Sequence, residues 1–194
     1  MNYDAHINKI IGKAYSRVGV LFKGFASRNV QILKKAYLTY IRPVLEYASS
    51  VWSPYLLKHI NAIERVQKYF TRCIPCISHL SYPERLAAID LEPLELRRLK
   101  NDLILYYKSY HDLVALPFNE YFVQSQNVTQ TRTGGGRLLR PMCRTNRFEN
   151  DFFNRCISCF NFLPSDAVNA NSVYAFKRFL SSCDLSDFIH CSYL

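Results

Sequence analysis

Residues 40–54 read YIRPVLEYASSVWSP, and the placing of Pro43 and Trp52 in this stretch decides how the chain folds. Apolar residues recur here at helical spacing, with Ile41, Val44, Leu45 and Ala48 continuing a face begun by Ile32, Leu33, Ala36, Tyr37 and Tyr40. Pro43 falls inside that run. A proline removes one backbone donor and crowds the carbonyl four residues back, so it survives where a helix bends or hands over to the next. The sequence therefore predicts one helix from about Arg28 toward Ala48, kinked at Pro43, with Trp52 closing the stretch.

Upstream, Ile7, Ile10, Ile11, Ala14, Val18 and Leu21 form a buried stripe from His6 to Phe22, ended by Gly24, with Ser27 offering the next N-cap. Lys9, Lys13 and Arg17 lie four apart on another face. Downstream, Ser53 as N-cap and Pro54 at the first helical position predict a helix with an inner face of Leu56, Ile60, Ile63, Val66 or Gln67, and Phe70, stopped by Pro75. Ser81 and Glu84 have the spacing of a capping box and open a short helix to about Ile89. After Pro93, Leu96, Leu99, Leu103, Tyr106 and Tyr110 face one way. Periodicity fades through 117–147, a basic stretch with three consecutive glycines and room for a short hairpin. It resumes in DFFNRCISCFNFLPSDAV (151–168) and in NSVYAFKRFLSS (171–182), where Val173, Phe176, Phe179 and Leu180 share a face. The fold class is all-α: a small helical bundle over 1–116, a basic connection over 117–147, and a C-terminal helical segment over 148–194.

The chain holds 194 residues, 49% hydrophobic and 21% charged, enough for an ordinary core. It has no apolar run of bilayer length and its opening residues lack the apolar stretch of a secretory signal, so the expectation is a soluble, intracellular protein with no membrane partner. Seven cysteines in that setting read as free thiols. The formal net charge is +10, and it is unevenly spread. Residues 1–60 hold nine Lys/Arg against two acids, 61–120 hold eight of each, and 121–155 hold six Arg against two acids. Two basic zones flanking a neutral block point to a polyanionic partner.

The motifs for chemistry are poor. Cys73 and Cys76, and Cys156 and Cys159, have the pair spacing of a zinc ribbon, but Pro75 interrupts the first pair and the second lies in an amphipathic run. The reading is no metal and no cofactor. The histidines at 6, 59, 79, 111 and 190 make no arrangement with a nucleophile. Asp184 and Asp187 lack a partner set. Gly134–Gly136 is not followed by the Lys-Ser/Thr of a phosphate loop. The stripe of Lys9, Lys13 and Arg17 carries more, because like charges at i, i+4 repel within a helix by a few tenths of a kcal/mol per pair unless an anion offsets them. Lys34 and Lys35, and the arginine series Arg132, Arg137, Arg140, Arg144 and Arg147, complete the candidate nucleic-acid contacts. A solvated helix face would look similar.

LKKAYLTYIRPVLEYASSVWSP resembles the segment that follows the polymerase core in reverse transcriptases of jockey-like non-LTR retrotransposons. The likeness continues in order through IERVQKYFTRCI, LSYPERLAAIDLEPLELRRLKNDLILYYKSYH, RPMCRTNRFENDFF and LPSDAVNANSVYAFKRFL, with FNFLP at 160–164 departing from the family's usual run. The resemblance implies the helical thumb and following extension of an RNA-directed DNA polymerase, gripping an RNA, RNA–DNA or DNA template-primer duplex beside a palm domain. It implies an architectural role for Arg42, Pro43, Glu46, Tyr47 and Trp52 at the bend, and a nuclear place if the chain acts with its parent element. No Asp-Asp pair is present to hold the two metals of a palm, and no endonuclease counterpart is present, so the chain reads as a truncated, non-catalytic transposable-element product. The alternative is a stand-alone helical interaction protein, or a decayed copy with no selected function.

Overall fold

In the computed structural model, which describes residues 3–122 and 138–190, residues 40–54 form not one kinked helix but three pieces. Helix α1 spans Asp4–Gly24 and α2 spans Val30–Ala36, the latter capped by the Asn29 side chain, which accepts from the amides of Gln31 and Ile32. Asn29 takes the role expected of Ser27, whose hydroxyl accepts from the Asn29 amide instead. From Tyr37 to Ile41 the chain widens into a π-helical turn, where the Arg42 amide reaches the Tyr37 carbonyl. The wider turn lets Pro43 fall in the first turn of α3 (Arg42–Glu46), where a missing donor is tolerated.

The helix then breaks outright. Tyr47 is extended and Ala48 is left-handed at φ 52°, before α4 (Ser49–Trp52). A left-handed alanine costs about 1–2 kcal/mol, and packing has to offset it. Trp52 does so: 4% exposed, it donates from Nε1 to the Tyr47 carbonyl at 2.8 Å and so satisfies an acceptor freed by the break. Glu46 is clamped by Arg97 at 2.5 Å and 3.1 Å and lies 3.6 Å from Arg42.

Helix α5 covers Leu57–Arg72. It starts later than Ser53 and Pro54 predict, and Leu56 is exposed, because the chain leaving Trp52 stays extended through Leu56. Ile60, Ile63, Val66 and Phe70 face the core as expected. Ile32, Tyr40 and Ala48, which the periodicity placed inside, are exposed, Tyr40 within the π turn and Ala48 at the break. The helix ends at Arg72, and Pro75 opens a 3-10 turn over Pro75–Ile77. The capping box of Ser81 and Glu84 is present at α6 (Tyr82–Ala88). Helix α7 spans Leu94–Tyr110.

The chain divides into two compact units, one running to Arg98 and rejoined by Ile189 and His190, the other Leu99–Phe188. The division falls inside α7, whereas the sequence reading placed it at 116. The first unit has an aliphatic core of Ile7, Ile10, Ala14, Val18, Leu33, Leu45, Ile63 and Val66, with Tyr37 stacked on Phe70 at 4.5 Å. A polar chain is buried beside it. Tyr37 donates to Gln67 at 2.7 Å, Gln67 donates to the Glu92 carbonyl at 3.0 Å, and Glu64 accepts from Tyr82 and from the Leu94 amide at 2.9 Å.

The second unit uses short helices: α8 (Phe118–Tyr121), α9 (Asn146–Glu149), α10 (Phe152–Arg155), α11 (Ile157–Phe162), α12 (Ser165–Val168) and α13 (Val173–Ser182). The run 151–168 thus splits into three. Tyr106 is the hub, its ring 4.7 Å from Phe122, 5.1 Å from Phe152 and 5.6 Å from Phe160. All of these elements are helical, and no strand forms among the described residues. The hairpin expected within 117–147 falls largely on 123–137, outside the described residues. No helix among the described residues is long and apolar enough to cross a membrane.

Candidate nucleic-acid interface

A helix advances about 100° per residue, so cations four apart drift about 40° around it at each step. Starting from Lys9, that drift carries Arg17 toward the buried stripe of α1. Lys9 and Lys13 are exposed; Arg17 is half-buried and donates to the Tyr40 carbonyl of the π turn. Arg17 is therefore a brace for the irregular segment rather than a third member of an open stripe. Arg28 is used in the same way, donating to the carbonyls of Phe22 at 3.0 Å and Phe25 at 2.5 Å where α1 ends.

The other sequence candidates separate similarly. Lys34 pairs with Asp90 at 3.3 Å, while Lys35 is exposed. Arg140 is bound to Glu149. Arg144 and Arg147 are exposed. Arg132 and Arg137 lie outside the described residues. Among the described residues, no carboxylate pairs with Lys9, Lys13, Lys35, Arg144 or Arg147.

The structure adds a surface that the sequence reading missed. Arg65, Lys68 and Arg72 recur at three and four residues on the solvent face of α5, opposite Ile63, Val66 and Phe70. They line a cleft of about 470 Å³ together with Tyr15, Tyr69, Tyr82 and Arg85. Arg85 is 5% exposed and fixed, donating from Nε to Thr71 at 3.1 Å and from a terminal nitrogen to the Leu80 carbonyl at 2.6 Å. The Tyr82 ring holds two cations, with Lys68 and Arg85 each 5.6 Å from its centroid. Burial and the neighbouring Glu64 carboxylate push the Tyr82 phenol far above its ordinary value, so it stays a neutral donor. Tyr69 is 48% exposed, braced edge-on by Tyr15 at 5.6 Å and 60°. The spacing of Arg65, Lys68 and Arg72 was visible in the sequence, but the balance of charges over 61–120 masked it. The acids that produce that balance are elsewhere: Glu64 is buried and Glu84 is bound to the Ser81 amide at 2.8 Å.

Cys73 and Cys76 belong to the first unit, Cys156 and Cys159 to the second. Burial and then the neighbouring Asp102 carboxylate push the Cys156 thiol well up, and burial followed by Cys183 pushes Cys159 up to about 12. Both are thereby held as neutral thiols. Among the described residues, no group of three or more His, Cys, Asp or Glu side chains could hold a metal ion.

No protein-family model matches the chain, and no solved structure matches it. The chain is similar to an uncharacterized protein of Caenorhabditis elegans, 26% identical over 118 residues, which covers 59% of this chain. The chain spans 58% of the length of that relative.

Proposed function

We propose that this chain is a non-catalytic nucleic-acid-binding segment that grips the backbone of an RNA–DNA or DNA duplex, derived from the thumb and extension of a jockey-like non-LTR reverse transcriptase. The observation that carries the reading is the sorting of cations in the first unit. Arginines that fold the chain (Arg17, Arg28, Arg85, Arg97) donate to carbonyls, a hydroxyl or a carboxylate. The exposed Lys9, Lys13 and Lys35 have no carboxylate partner among the described residues. Unpaired surface cations of this kind recruit a phosphate backbone by counterion release, with little regard to base sequence. The ordered blocks around Pro43 and Trp52 support the family part of the reading, and the absence of an Asp-Asp pair from the sequence supports the non-catalytic part.

The test is binding of a blunt RNA–DNA hairpin by anisotropy across a salt series. Wild type binds with a steep negative log–log slope. Lys9→Glu, Lys13→Glu and Lys35→Glu together weaken binding to every duplex alike and flatten the slope by roughly 0.9 per lost contact. An unchanged slope in the folded triple variant overturns the proposal. So does primer extension by the purified chain that survives repurification.

A further inference from the structure

We infer that the cleft on α5 takes an unpaired nucleotide, its phosphate held by Arg65, Lys68 and Arg72 and its base laid against the ring of Tyr69. The inference rests on the duplex-binding reading and deepens it, assigning the same protein a place for the single strand that continues beyond a duplex.

The cleft has the chemistry of both halves of a nucleotide. Four of its lining side chains are cationic and none is a carboxylate. Arg85 is locked at its floor as a fixed positive charge, while Arg65, Lys68 and Arg72 are exposed along one helix face. Like charges on successive turns repel unless an anion sits among them. The tyrosines divide the remaining work. Tyr82 is 5% exposed and its ring is already taken by Lys68 and Arg85, so it positions cations rather than ligand. Tyr69 is the ring that a ligand can reach: it is 48% exposed, and the edge-on Tyr15 limits how it turns. A volume of about 470 Å³ lies in the range of small-molecule sites. A paired base keeps its faces inside the helix stack, so an exposed aromatic face with phosphate-binding cations around it suits a base that has left the duplex.

The experiment compares, with the full chain, a blunt RNA–DNA hairpin, the same hairpin with a short single-stranded overhang, and a third with an abasic overhang. The overhang tightens binding roughly tenfold, as expected for one base stacked on an aromatic ring, and the abasic overhang recovers little of that gain. Tyr69→Ala erases the gain and leaves blunt-duplex affinity unchanged, and Tyr69→Phe keeps it. Lys68→Gln with Arg72→Gln weakens the overhang complex more than the blunt one. Three results overturn the inference while leaving duplex binding intact: an overhang that adds nothing, an abasic overhang that adds as much, which marks a phosphate site open equally to phosphopeptides, or equal loss for all probes in Tyr69→Ala. If the blunt duplex does not bind, the duplex reading fails by itself. A free single-stranded oligonucleotide then decides the cleft: Tyr69-dependent binding keeps it, and no binding overturns it.

Discussion

The two units are stabilised in different ways, and the contrast explains where the candidate surfaces are. In the first unit, α1 and α5 are long enough for aliphatic stripes to do the packing, and Ile63, Val66 and Leu33 are fully buried. In the second, α8 to α12 have four to six residues each, too short to be stable alone. Large rings and their hydroxyls replace length there. Tyr106 packs three phenylalanines and reaches the carbonyls of Phe152 at 2.9 Å and Phe153 at 2.5 Å, and Tyr107 stacks on Phe176 at 4.4 Å and donates to the Ala170 carbonyl. Short helices leave many end groups to satisfy, and the second unit draws Arg155 into a pair with Asp102 at 2.8 Å and Arg140 onto Glu149. In the first unit Lys34 pairs with Asp90 and Lys58 with Asp4, while Lys9, Lys13 and Lys35 are exposed with no carboxylate partner among the described residues.

The sharpest break of this contrast is Phe70→Ala, which removes a fully buried ring from the first unit. A loss of about 3–5 kcal/mol is expected. Trp52 is the one tryptophan of the chain and belongs to the first unit, so the urea midpoint of its fluorescence reads that unit directly. A shift seen equally in Phe176→Ala, a second-unit change, would show that the two cores unfold as one.

Next in size is Glu64→Ala, which removes the acceptor of the Tyr82 hydroxyl and of the Leu94 amide, at about 1–3 kcal/mol for each buried donor that loses its acceptor. Burial, opposed by hydrogen bonds from Tyr82 and Leu94, raises the Glu64 carboxyl above its ordinary value. A raised folded value means that its contribution is fully present below the ordinary carboxylate range and is lost as pH rises through the folded value. Glu64→Gln should flatten the stability of the first unit across that window, as measured by Trp52 fluorescence.

Tyr106→Phe keeps the ring and removes the hydroxyl. An expected loss of about 0.5–1.5 kcal/mol, read by far-ultraviolet circular dichroism in urea, separates the hydrogen-bonded part of the aromatic hub from its packing. No loss would assign the second unit to packing alone. The smallest effect belongs to Glu84, exposed and held below the usual carboxylate value by Ser81, through its side chain and its amide. Its contribution is present at neutral pH and fades as pH falls through the lowered value. Glu84→Gln removes that acid dependence, visible as a smaller drop in melting temperature between neutral and acidic buffer.

Local signals were legible where they acted locally. The stripe of α1, the capping box at Ser81 and Glu84, and the face of α13, with Phe176 and Leu180 buried, follow from periodicity and one side chain reaching its own backbone. The candidate surface was half legible. The spacing of Lys9 and Lys13 put them on one exposed face, but the fate of Arg17 depended on a carbonyl 23 residues away.

By itself, then, the sequence determined an all-helical chain, its long amphipathic elements and a basic first unit, because hydrophobic spacing and net charge are properties of neighbours along the chain. Only the tertiary structure decided that the helix expected around Pro43 becomes a π turn and a left-handed alanine, covered by Trp52 and braced by Arg17. It alone drew Glu64 inward to accept from Tyr82, set Gln67 against the Tyr37 hydroxyl, and gathered Arg65, Lys68 and Arg72 with Tyr15, Tyr69 and Arg85 around one cleft. In each case the deciding partner is distant in sequence, and the free energy of burying a polar group or satisfying a freed carbonyl is set by what packs against it.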